Sequence, residues 1–199
     1  MSDAIWMLLY DVMPENETKY LSWFHNTHIP EKLARPGYNW AGHYKDGTRY
    51  AAFFGGTNSR VFFDPNPTQL KLQQDDLTRQ MVALRNKPLS LIFCHEWSCE
   101  GTAITKRPGH ACEILIGNAE QDEMYNTWLA QNFLPAFSIA DGAVRVRKLL
   151  CTSGTIRHGL MTQFDTLESL KAFNITCPCP LSGTFYSPLT AKRLWPESS

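Results

Sequence analysis

The sequence predicts an α+β protein made of two tandem units, each an antiparallel sheet with helices on one face. Three observations carry that prediction. Residues 20–37 (YLSWFHNTHIPEKLARPG) return, weakened, as residues 125–142 (YNTWLAQNFLPAFSIADG). Tyr20/Tyr125, Trp23/Trp128, Ile29/Leu134, Pro30/Pro135 and Gly37/Gly142 pair at one constant offset, with no gap. Four identities and one apolar exchange in a single register mark an internal repeat. Around each copy the apolar patterns run strand, helix, strand, strand, helix, strand, the split βαβ plan of ferredoxin-like domains. The length, 199 residues, suits two units of about 100 each.

In order, residues 5–12 form an apolar run with the length and bulk of a buried strand, ended by Met13-Pro14-Glu15-Asn16. Residues 15–29 read as a helix, with Asn16 as N-cap and acids in the first turn. Tyr20, Leu21, Phe24 and His28 fall on one face of it, which should be buried. Pro30 has no N–H to continue the ladder, so the helix is expected to stop or kink there. A short piece over residues 30–35 then restarts, because proline suits a first helical position. Pro36-Gly37 turns the chain into a hairpin of strands 40–45 and 49–55 around Asp46-Gly47. A loop over 58–67, a helix over 68–84 and a strand over 89–97 complete the first unit, residues 1–100. Residues 100–109 (EGTAITKRPG) are polar and punctuated, which predicts a linker. The second unit, residues 110–199, repeats the order. Strand 111–116, helix 121–134, hairpin strands 143–151 and 157–164 and helix 167–174 are followed by a weakly marked strand placed at 183–187. Residues 176–188, rich in proline and glycine, are expected as a loop.

Composition excludes several classes. Lys plus Arg and Asp plus Glu are 19 each, so net charge points to neither nucleic acid nor an anionic membrane. The N-terminal apolar run is too short to span a bilayer and lacks the flanks of a secretory signal, which predicts a cytoplasmic protein. Its six cysteines then read as reduced thiols. Cys177-Pro178-Cys179 is the one close pair, and without a second pair it is read as two loop thiols rather than a metal site. No phosphate loop, G-x-G-x-x-G, H-E-x-x-H, paired C-x-x-C or G-x-S-x-G is present, so no cofactor and no metal are expected.

Trp23-Phe24-His25-Asn26-Thr27-His28-Ile29-Pro30-Glu31, after a strand and before Pro-Gly and a hairpin, resembles the dimeric α/β-barrel superfamily, and its EthD-like members most. The resemblance is good over residues 5–55, fair to residue 98, and in the second half rests on the repeat. It implies that two ferredoxin-like antiparallel sheets form an α/β barrel, here within one chain. It implies a small-molecule pocket at the end of the first helix. It does not name a reaction, because the superfamily spans cofactor-free isomerases, cyclases and oxygenases as well as haem enzymes.

The histidine of the H-I-P motif, which often lines the pocket in that superfamily, is His28. A histidine poised near neutral pH suits general acid–base work. The helix end favours its charge and burial opposes it, so its sign stays open. The plainer alternative is a core histidine tied to a backbone carbonyl. Phe133 at the matching place in the second copy shows that the fold does not need imidazole there. His43 and Tyr44 are the candidate second polar groups, one of which must face the inner side of the sheet because strand side chains alternate. Tyr10, Phe24 and Tyr50 are candidates for lining a substrate pocket. Arg49, or the pair Arg145 and Arg147, which share a face of one strand, would clamp a carboxylate. In solvent these charges would do nothing. His25 is read as a solvated helix position and His95 as structural.

The reading that follows is a cofactor-independent lyase or isomerase. It would decarboxylate, or move a proton on, a small aromatic or lactone-type acid, with His28 as general acid–base. A non-catalytic binding or assembly module on the same fold is the alternative, and a haem-dependent or cofactor-free monooxygenase the third. The expected partners are an aromatic small molecule and, as a candidate, a second copy of the chain.

Overall fold

The structure is a computed structural model that describes residues 3–103, 105, 108–178 and 180–197. It is of the α+β class, its eight strands closing an antiparallel barrel. It divides into two compact units, residues 1–94 with 194–197, and residues 95–193.

In the first unit β1 (Ala4–Asp11) pairs antiparallel with β3 (Arg49–Gly56) on one side and β4 (Asn86–Glu100) on the other. β2 (Tyr38–Asp46) pairs with β3 through the hairpin expected around Asp46-Gly47. Trp6, Leu8 and Tyr10 of β1, Ala41 of β2, and Tyr50, Ala52 and Phe54 of β3 turn to the helices, where they pack on Tyr20, Trp23, Phe24, Ile29, Phe62, Leu70 and Met81. The helical layer begins with α1 (Pro14–Trp23), a π turn (Phe24–His28) and α2 (Ile29–Leu33). The helix therefore does not stop at Pro30. Ile29 N–H donates to the Phe24 carbonyl, and the extra residue in that turn leaves room for a residue that cannot donate.

The single helix expected over residues 68–84 is two: α3 (Pro67–Leu72) and α4 (Asp76–Val82). Asp75 caps the second, its carboxylate accepting from Thr78 N–H at 2.7 Å. β4 is longer than predicted at both ends and crosses the boundary between the units, so that boundary falls inside a strand rather than in the linker.

The second unit has the same plan. β5 (Ala111–Gly117) pairs antiparallel with β7 (His158–Phe164) and β8 (Leu189–Trp195), and β6 (Ala143–Cys151) with β7. α5 (Asp122–Trp128), a second π turn (Leu129–Phe133), α6 (Leu134–Ile139) and α7 (Leu167–Ala172) cover its sheet. The last strand is β8, not residues 183–187. Those belong to the loop, in which Ser182 bridges to Asn118. Cys179, and with it the close cysteine pair, lies outside the described residues, as do residues 104, 106 and 107 of the linker.

Candidate functional site

The first unit concentrates its polar chemistry under the π turn. His28 is 5 % exposed, its ring 4.6 Å from the Trp23 ring and 5.4 Å from Phe24 between centroids. Its Nδ1 is buried without a hydrogen-bond partner, the nearest carboxylate oxygen being that of Glu31 at 4.0 Å. It is therefore not a core histidine tied to a carbonyl through that nitrogen. Burial, then the charges of Arg85, Lys32 and Arg35, push its pKa well below the ordinary histidine value. The helix-end effect loses, and the ring is neutral at pH 7.

His28 lines a half-open cleft of about 510 Å³. Lys32 and Arg35 supply cations to its wall. Glu31, Leu70, Gln73, Gln74, Asp75 and Thr78 complete most of the rest. The break between α3 and α4, at residues 73–75, forms that far wall, so the cleft owes its shape to a feature the helical periodicity concealed.

Behind Phe24 lies a second imidazole. His43, fully buried, stacks on Tyr50 at 5.3 Å and sits 4.5 Å from Phe24 between centroids. Its Nε2 is 3.0 Å from the Tyr10 hydroxyl and its Nδ1 is 2.8 Å from His25 Nε2. In one proton arrangement Tyr10 donates to His43 and His43 donates to His25; the reverse arrangement is equally bonded. His25 is half-buried and part of this chain rather than a solvated helix position. Burial, then His25 and Arg85, hold His43 neutral as well.

Arg85 connects the two imidazoles electrostatically. It follows α4, and its Nε donates to the Tyr20 hydroxyl at 2.8 Å. Its guanidinium carbon lies 4.8 Å from the Tyr10 ring centroid and 5.6 Å from that of Phe24. Its Nη2 is buried with no acceptor, as is the Trp23 indole nitrogen. Buried donors are ordinarily paired. Around Trp23, His28 and Arg85 three buried nitrogens lack partners. A bound oxyanion would satisfy the two that must be donors, Trp23 Nε1 and Arg85 Nη2, leaving His28 Nδ1 as the candidate base.

Of the residues singled out from sequence, His28 reaches the cleft, while Tyr10, Phe24, His43 and Tyr50 form one aromatic nest behind it. Tyr44 lies on the opposite face of β2, its ring 5.6 Å from Phe53, and so is separated from His43. Arg49 pairs with Asp46 at the hairpin turn. Arg145 pairs with Glu100 at 2.5 Å, and Arg147 lies half-buried on the same strand, both in the second unit. None of these three arginines lines the cleft. The cations there, Lys32 and Arg35, and the half-buried Arg85 went unnoticed in the sequence. Only the Lys32 spacing, one helical turn after His28, could have flagged any of them.

The second unit has its own buried polar line and no equivalent of His28. Lys148, fully buried, donates to Glu96 at 3.0 Å and lies 3.0 Å from His158 Nδ1, while His158 Nε2 is 2.7 Å from Asp122. Arg157 closes the line with an ion pair to Asp122. With His158 neutral, Nε2–H donates to the carboxylate and Nδ1 accepts from the ammonium, so every member is satisfied. Phe133 packs among Trp128, Phe137 and Phe173.

Haem, which some proteins of the resembling superfamily carry, would need an axial ligand and a slot for a flat apolar macrocycle. The cleft beside His28 is walled by charged and amide side chains, with Leu70 its one bulky apolar residue, so the residues present do not fit that group. Among the described residues no set of three or more His, Cys, Asp or Glu side chains is arranged to hold a metal ion. No described helix is long and apolar enough to cross a membrane.

No known family profile matches the chain, and no curated protein matches it in sequence. Solved structures do match in fold. An anthrone oxidase-like protein superposes with a TM-score of 0.65 at 12 % identity, over 97 % of this chain and 92 % of its own. A monooxygenase-like protein from Lactobacillus acidophilus NCFM gives 0.55 at 8 % identity, over 86 % and 81 %. Another, from Fusobacterium nucleatum, gives 0.55 at 9 % identity, over 84 % and 78 %. At such identities the likeness is one of fold.

Proposed function

We propose that the first unit is a cofactor-independent oxidase or oxygenase site for a weakly acidic aromatic compound. One observation carries this: a neutral His28 imidazole with an unpartnered Nδ1, in a cleft walled by Lys32 and Arg35, with Arg85 behind it. A neutral imidazole can take a proton, and nearby cations and unpartnered N–H groups hold the negative charge left on the substrate. The resulting carbanion is electron-rich enough to reduce dioxygen, forming a C–O bond and a hydroperoxide that loses water to leave a ketone. Dioxygen is the oxidant, one methylene C–H₂ becomes C=O, and one water departs.

The oxidase and monooxygenase names of the fold neighbours favour this reading over decarboxylation or isomerisation. The proton step is common to all three. The second unit, which has Phe133 in place of the base, would serve as scaffold, and we read the two units as copies of one ancestral unit. A half-open cleft with His28 and Lys32 on its wall also favours an enzyme over a binding module.

The test is oxygen uptake with anthrone and simpler hydroxyaromatic ketones, comparing the natural chain with His28→Phe, which copies the residue of the second unit. A folded His28→Phe protein should lose activity by about 10²–10⁴, the usual worth of general acid–base help. Full uptake by that variant removes His28 from the mechanism. Carbon dioxide release from a hydroxyaromatic carboxylic acid under argon would restore the decarboxylase reading.

A further inference from the structure

In the oxidase reading Lys32 only lends the cleft charge, yet its surroundings equip it for more. Lys32 is 6 % exposed, yet it lines the cleft one helical turn after His28. Its Nζ lies 4.8 Å from the centroid of the Trp6 ring. Glu31 is near enough to favour its charge but forms no ion pair with it, and the described carboxylates that do form ion pairs take other partners. Its charged neighbours are otherwise cationic: Arg35 on the next turn and Arg85 from the end of the helical layer. Burial first, then Arg35 and Arg85, bring its pKa down to about 7. His28, the remaining titratable group on that face, is itself neutral.

A lysine in these surroundings spends much of its time as a free amine at neutral pH. Desolvation beside other cations is one of the recognised ways of making lysine a nucleophile. Lys32 also lines a cleft whose volume, about 510 Å³, is large enough for a small aromatic molecule.

We propose that Lys32 is an imine-forming amine and that the cleft binds small aldehydes or ketones covalently through its Nζ. The lone pair attacks the carbonyl carbon, giving a carbinolamine. The C–O bond then breaks as water leaves, and a C=N bond replaces C=O. His28, on the same helical face, is placed to carry the proton that the amine loses and the departing hydroxyl gains. No electron changes hands, so this chemistry needs no oxidant and stands apart from the oxidase reading, although it shares that reading's cleft.

The experiment incubates the full chain at pH 7 with 4-carboxybenzaldehyde and sodium cyanoborohydride, which reduces an imine to a stable secondary amine. Peptide mapping by mass spectrometry then locates the adduct. The expected result is a dominant single adduct at Lys32, formed about 10–100-fold faster than at surface lysines. Its rate should fall as pH drops below about 7, where the amine of Lys32 is protonated. Lys32→Arg should lose the fast adduct and keep the slow surface ones. Adducts spread evenly over the lysines, or a Lys32 rate still rising toward pH 10 like that of an ordinary lysine, would overturn the proposal. Oxygen uptake is measured on untreated portions of the same protein, so the failure of either reading is seen without the other.

Discussion

At neutral pH a buried ammonium on Lys32 works against folding. The unfolded chain holds that proton up to the ordinary lysine range, whereas the folded chain releases it near 7. Between those limits the unfolded state binds more protons, so stability rises with pH. Replacing Lys32 by Met should therefore stabilise the protein by about 2–4 kcal/mol at pH 7, with the gain fading as pH climbs from 7 toward 10 and gone beyond it. Urea unfolding of both chains at pH 7 and pH 10 measures this. A variant no more stable at pH 7 would mean that the ammonium is better solvated than its 6 % exposure indicates. At this scale the sequence was legible where residue type itself is unusual. His28 stood out because a histidine broke an apolar face and its counterpart was Phe133. Lys32 and Arg85 did not stand out, because long cationic side chains usually sit on the surface and only the folded chain shows them turned inward.

Two elements recur with the same exceptional backbone. Each first helix contains a five-residue π turn just before its proline, Phe24–His28 in one unit and Leu129–Phe133 in the other. Each helix then gives way to a glycine in the left-handed region, Gly37 at φ 86° and Gly142 at φ 71°. A methyl group at Gly37 would approach Val61 to 2.5 Å, and one at Gly142 would meet the Asp165 carboxylate. Gly37→Ala and Gly142→Ala should each cost at least about 1–2 kcal/mol, from the left-handed backbone alone. Chemical denaturation of the two single variants checks this, and an alanine tolerated at either position would show that the turn relaxes. The repeated segment made these turns readable, since Pro36-Gly37 and Gly142 are plain in the sequence. The π turns were not, because proline reports that a ladder must end without saying that an extra residue can carry the helix past it. β8 was misplaced for a different reason. Its seven residues (LTAKRLW) interrupt their apolar pattern with Lys192 and Arg193, and Arg193 N–H is tied to the His110 carbonyl by a pairing the linear sequence cannot show.

At the scale of the whole molecule, both units bury histidines that must stay neutral. His28, His43 and His158 are each pushed below the ordinary histidine range, burial being the first cause in every case. For His158 a proton on Nδ1 would face the Lys148 ammonium at 3.0 Å, which the Asp122 carboxylate on the other nitrogen only partly offsets. The unfolded chain takes up these protons below about pH 6.5 while the folded chain refuses them, so stability is full above that pH and falls below it. The loss should be about 1.4 kcal/mol per pH unit for each histidine. Urea midpoints at pH 7.5, 6.5 and 5.5 would show it, and a flat profile down to pH 5.5 would contradict the buried neutral state of all three. The α+β class was readable from the strand, helix, strand, strand, helix, strand order of the apolar runs. The division inside β4 was not, since hydrogen-bonded continuity leaves no mark in composition.

The ownership of residues 194–197 by the first unit bears on synthesis at the ribosome. Leu194 and Trp195 pack against the same core as Trp6, Phe54 and Tyr38, but they are translated only after the whole of the second unit. At about 5–20 residues per second, the nascent first unit waits several seconds to tens of seconds with that side of its core uncovered. Its neighbour is made and can fold during that interval. The earlier-synthesised half is therefore the later to be finished, and that interval is when a holding chaperone would find an apolar surface to bind.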